Sequence, residues 1–221
     1  MTTSSKPLSV FRDLRMFGPV DALEQLRRTL IDCANAPWRH APERERLLHV
    51  HSPEERPMAF ERSASTGFDA AGLVLFAMPG GLEVTNIVPL EHSELSHRAY
   101  NTILEDFAEQ IARPAASASG FVVEISDGTI QIEDKLTPAA AEALRRFSAL
   151  ANKSTGASHP FDQQRWFDFI IQSHRDHSDL DADLVLRWLC ESDNWPEDKA
   201  SALAIEYERS RALLSRFEET T

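Results

Sequence analysis

Apolar residues along this chain recur first at helical spacing, then at every second position, then at helical spacing again to the end. Residues 1–18 show neither period and read as a leader or an edge strand. Leu23, Leu26, Leu30 and Cys33 predict a first helix. Pro19 opens it, Asp21 and Glu24 in its first turn face the positive end of the helix dipole, and Pro37 closes it. Residues 38–56 are charged and irregular, a connector with one short helix around 43–50.

From residue 58 the period falls to two. A short strand over 58–63 precedes two β-rich runs, 72–78 and 82–88, joined by Pro79, Gly80 and Gly81. Glycine supplies the positive φ of a tight turn, so the pair predicts a hairpin with Leu73, Leu75, Val84 and Val88 on its covered face. The cover is the next helix, capped by Ser96, where Tyr100, Ile103, Leu104, Phe107 and Ile111 form one apolar stripe. Pro114 and the small residues 115–119 end it. Runs at 121–125 and 129–132 around Asp127 and Gly128 predict a second hairpin.

Beyond Leu136 every segment reads as helix. Thr137 and Pro138 form an N-cap and first-turn pair, with Leu144, Phe147 and Leu150 on the buried side. A polar loop over 152–158 leads to an aromatic-rich helix at 159–173. Two more helices follow at 181–191 and from Pro196, where Leu203, Tyr207, Ser210, Leu214 and Phe217 align. The expected fold is α+β: a mainly antiparallel five-stranded sheet with helices on one face, over 1–136, followed by a helical region over 137–221.

The chain has 221 residues, enough to remove about 70 % of the extended chain's surface from water without disulfides or metal. No apolar run is long enough for a membrane span. The net charge is −12, unevenly spread. Residues 1–56 carry nine basic and eight acidic side chains, 57–157 seven and thirteen, and 158–221 seven and fourteen. Nucleic-acid binding draws its affinity from cations on phosphates, so the acidic portions argue against it. The N-terminal arginines, Arg27, Arg28, Arg39, Arg44 and Arg46, have Glu24, Glu43 and Glu45 to pair with. Cys33 and Cys190 form no CxxC pair, and with no apolar signal segment at residue 1 a reducing cytoplasm is expected.

Two segments concentrate chemistry. In the first, Asn152, Lys153, Ser154, Thr155, Ser158, His159, Asp162 and Arg165 combine a cation, hydroxyls and a helix start, the ingredients of a phosphate site with His159 and Asp162 as base and orienting partner. The P-loop comparison fails, because Phe147 and Asn152 stand where its glycines belong. The plainer reading is an interhelix loop of capping residues. In the second, His174, Asp176, His177, Asp179, Asp181 and Asp183 imitate metal ligands, yet Leu184 replaces the turn glycine of a calcium loop and Cys190 its closing glutamate. Histidines ending one helix and aspartates opening the next explain the same residues by dipole complementarity, so no metal is expected. His92 and His97 read as solvated residues beside a helix start. His40, His49 and His51 fall in the connector and support no site.

Trp166, Phe167 and Phe169 cover more than one side of their helix, so they are candidate partner contacts as well as core residues. The leading expectation is a cytoplasmic, bacterial-type interaction module of adaptor, antitoxin or immunity kind, without its own catalysis or cofactor. It would bind a protein partner or itself. The alternative is an enzyme or sensor that handles a phosphorylated ligand through loop 152–165.

Overall fold

The structure, a computed structural model, describes residues 6–51, 56–91 and 94–220, the side chains of 49–51 excepted. The chain divides into two units, one of Ser9–Gly128 and the other of residues 6–8 with 129–220. No helix among the described residues is long and apolar enough to cross a membrane.

The described chain opens with β1 (Leu8–Ser9) and β2 (Leu14–Phe17), then α1 (Leu23–Cys33), β3 (Trp38–His40), α2 (Pro42–His51) and β4 (Met58–Arg62). There follow β5 (Ala71–Met78), β6 (Gly81–Pro89), α3 (His97–Phe107), α4 (Arg113–Ser119), β7 (Val122–Ile125) and β8 (Thr129–Ile130). The fold is α+β, with a six-stranded sheet in the order β3-β4-β5-β6-β2-β7 and every pair antiparallel. Six strands replace the expected five for three reasons. β3 lies inside the supposed connector. β2 sits between β6 and β7 rather than at an edge, with Leu14 and Met16 fully buried and Arg15 exposed between them. And 121–132 is not a hairpin: β7 pairs with β2 while β8 pairs with β1 in a separate two-stranded sheet. An Asp-Gly turn closes a hairpin only where its strands lack better partners, and residues 8–17 supply them.

The first hairpin forms as expected, turning at Pro79 and Gly80 (φ 81°). Gly81 lies under the β2 backbone, where a Cβ would fall 1.7 Å from the Met16 carbonyl oxygen, so only glycine fits. Leu73 faces Ile87 but Leu75 faces Val84, which leaves Thr85 as an extra residue, a β-bulge. Thr85 and Asn86 are both exposed, and the buried series passes from Val84 to Ile87, leaving Val88 half-buried. Leu73, Leu75, Val84 and Ile87 share one core with Leu26 and Leu30 of α1 and with Ile103, Leu104 and Phe107 of α3.

Helices do not keep to one face. Gly72 points opposite to Leu73 along β5, and the Arg44 guanidinium lies 3.5 Å from where its Cβ would stand. α2 therefore sits on the far side at β4 and β5, held by the ion pair of Arg44 with Glu61, by that of Glu43 with Arg39 of β3, and by Glu45, which accepts from Ala59 N. Nor does Pro114 end the α3 segment. A π turn at 108–112 shifts the hydrogen-bond ladder just ahead of the proline, and the helix resumes as α4 to Gly120 (φ 74°).

In the second unit, α5 (Pro138–Leu150) begins at Thr137, whose Oγ1 accepts from Ala140 N. α6 (Pro160–Arg175), α7 (Ala182–Arg187) and α8 (Glu197–Glu219) follow, α7 passing into a π turn at 188–192. Phe147, Trp166, Phe169, Trp188, Trp195 and Tyr207 dominate their common core, which Leu8 also joins. α6 packs against both α5 and α8. That double burial explains apolar residues on two of its sides.

Candidate functional site

A shallow cleft of about 620 Å³ opens at the start of α6. Its walls bring together six of the residues singled out from the sequence: Asn152, Thr155, Ser158, His159, Asp162 and Arg165. Leu150, Pro160 and Phe161 complete it. Lys153 and Ser154 do not line it. Lys153 turns away and donates from Nζ to the Asp193 backbone carbonyl, tying the loop to the segment before α8. Ser154 folds onto Asn152, whose Oδ1 accepts from both its amide and its hydroxyl.

The remaining polar groups bind each other. Thr155 donates to the Asn152 carbonyl and Ser158 to the Thr155 carbonyl. Asp162 is buried, accepting from Asn152 N at 3.3 Å and from the Arg165 guanidinium at 2.7 Å. His159 is the N-cap of α6, its Nδ1 accepting from Phe161 N at 3.3 Å. Pro160 has no N–H, and the amides of Asp162 and Gln163 both reach the His159 carbonyl. The first-turn donors that would cradle an anion are thus engaged, a carboxylate sits among them, and the one cation is paired. Most of what the cleft leaves open is apolar. Phe161 is 65 % exposed and Leu150 57 %.

Leu150 was expected on the buried side of α5. The stripe there runs Ala140, Leu144, Phe147 and Ala151, one position further on, and this places Leu150 outside it. Reading the helix through to Ala151 is the signal that would have found it. Of the three candidate partner contacts, Trp166 and Phe169 are fully buried and cannot touch a partner, because α6 lies between two helices. Phe167 remains, 39 % exposed, one turn before the equally exposed Ile171.

The His/Asp segment distributes its groups into caps and ties. Asp176 accepts from the Thr137 hydroxyl and from Gln172, which hold its carboxyl below the usual range. Asp179 pairs with Lys135 at 2.9 Å and is likewise lowered. Asp181 caps α7 through Leu184 N. His174 is buried, with Nε2 3.1 Å from the Glu218 carboxylate but without the alignment of a hydrogen bond. Among the described residues no group of His, Cys, Asp and Glu is placed to hold a metal ion. Burial pushes both thiols up, Cys33 with help from Asp32 and Cys190 from Glu197 and Glu191, away from the reactive thiolate. His40 lies 2.7 Å from Glu45 beneath α2. His92 and the side chains of His49 and His51 lie outside the described residues, as do residues 1–5.

Comparison with protein-family profiles, with curated proteins and with solved structures gives no match for this chain.

Proposed function

We propose that this chain is a cytoplasmic, non-catalytic interaction module whose second unit docks a basic segment of a partner protein at the start of α6. The carrying observation is Phe161 and Leu150, both more than half exposed on a cleft whose polar groups already satisfy one another. Burying what these two side chains still expose contributes about 1–2 kcal/mol each, enough to help anchor a partner. Residues 158–221 hold fourteen acidic against seven basic side chains, which selects a cationic partner and speeds its encounter. Phosphate handling through the same loop has less support, since Lys153 and the first-turn amides are engaged elsewhere.

The test is native mass measurement of the protein purified from its own host, beside Phe161→Glu and Leu150→Glu variants. A stoichiometric second protein, lost from both variants and released by raising the salt, is expected. A chain that runs alone, or a partner retained by both variants, overturns the reading.

A further inference from the structure

The β-bulge in β6 opens a second pocket, in the Ser9–Gly128 unit and independent of the cleft at α6. It measures about 420 Å³ and lies between the bulge residues Thr85 and Asn86 and the start of α3. Bulges of this kind re-aim side chains and are common beside binding sites. Tyr100 lines the pocket, only 8 % exposed. Burial, and then the Asp13 carboxylate, raise its pKa and keep it protonated.

Two carboxylates, Asp13 and Glu94, also face the pocket. Nearby cations offset them only in part. Arg12 is held by Glu105 at 2.6 Å and by the Ser126 carbonyl at 2.7 Å. Arg15 lies nearer Glu83, at 3.5 Å, than Asp13, at 4.0 Å. Glu94 pairs with no cation among the described residues. The Asp13 backbone is pinned to Ser126 in both directions. Phe11 closes one wall with a half-exposed ring. That ring is propped between His97, at 4.3 Å between centroids, and the edge of Tyr100, at 4.7 Å. Ile87 and Leu95 supply apolar lining.

Two carboxylates, an aromatic face and an apolar lining together recognise a cation on a hydrocarbon stem. We propose that this pocket binds a protonated amine carried on an apolar stem, either a free alkylammonium ion or a lysine side chain presented by a peptide. The ammonium sits between Asp13 and Glu94 against the Phe11 ring, and the stem lies along Ile87 and Leu95.

Calorimetric titration with n-butylammonium chloride at low salt tests this, beside n-butanol as the uncharged analogue and n-butylguanidinium as the competing cation. A lysine-containing tripeptide with blocked termini forms the peptide arm. Saturable binding of butylammonium or of the tripeptide is expected, at least tenfold tighter than butanol or butylguanidinium, and the tighter of the two names the source. Asp13→Asn should weaken it about tenfold with an unchanged far-UV spectrum, and Phe11→Ser should weaken it several-fold. No saturable binding of either probe, equal binding of butanol or butylguanidinium, or full affinity in Asp13→Asn overturns the proposal.

Discussion

The most demanding physical arrangement in the Ser9–Gly128 unit is the charge pair under its sheet, and removing one half tests the reasoning about that core. Arg62 on β4 is 3 % exposed and Asp106 on α3 13 %, with Nε 2.8 Å from Oδ2. The same oxygen accepts from Trp38 Nε1 at 2.8 Å, so one carboxylate joins β3, β4 and α3. Asp106→Ala leaves Arg62 buried without its counter-charge, which costs about 3–5 kcal/mol. The stranded indole N–H costs about 1–3 kcal/mol by itself, but both effects share one acceptor and do not add in full. Arg62 keeps the Ser63 carbonyl at 3.0 Å, the Ser65 hydroxyl at 3.2 Å and the Phe68 ring at 3.9 Å, which favours the lower end. The expected loss is about 3–4 kcal/mol, or roughly 6–16 °C in Tm. Trp38 is the only tryptophan in this unit, so its indole resonance followed through a urea titration reports the unit's own transition. Replacing both partners, Arg62→Met with Asp106→Leu, should recover most of the loss, because neither charge then needs desolvating. A loss below about 1 kcal/mol for Asp106→Ala, or a double variant as unstable as the summed singles, would refute the account.

Three further outcomes follow from the geometry. Gly81→Ala should destabilise by more than about 3 kcal/mol, beyond ordinary overpacking, because its Cβ meets the Met16 carbonyl rather than a movable side chain; a soluble variant with a wild-type urea midpoint would contradict this. Lys153→Ala should cost about 1 kcal/mol through loss of the half-buried tie to the Asp193 carbonyl, and thermal-shift screening should show no saturable response to sulfate, sugar phosphates or nucleotides that this variant abolishes. Burial raises the Asp193 carboxyl against weaker opposing help from Ser148, Lys153 and Arg145. A raised acid contributes stability that is full below the ordinary value of 3.8 and is lost as pH climbs through the raised one. Asp193→Asn should therefore gain on the wild type as pH rises from about 3.5 to 6.5; a urea-midpoint difference independent of pH would sink that assignment.

Local rules sufficed wherever an element was specified by its own neighbours. The Pro79 and Gly80 turn, the Ser96 and Thr137 caps, the α3 stripe and the helical run after Leu136 were all legible, because turn φ values, capping groups and a 3.6-residue period are short-range properties. The cleft at α6 was legible only in part: Asn152, Thr155, Ser158, His159, Asp162 and Arg165 flank one helix start, whereas Lys153 and Ser154 turn away and Leu150 and Phe161 come in.

Tertiary structure decided what depends on partners distant in sequence. β2 became an inner strand and the 121–132 hairpin dissolved because residues 8–17 and 122–130 lie more than a hundred positions apart and compete for pairing that a local pattern cannot weigh. The Thr85 bulge, which moves the buried position from Val88 to Ile87 and opens the pocket below Tyr100, is a mismatch between two strands and not a property of either. The direction of Lys153 was set by the Asp193 carbonyl forty residues on. Sequence determined which residues stand at each helix start and turn; only the fold decided which polar groups bind one another.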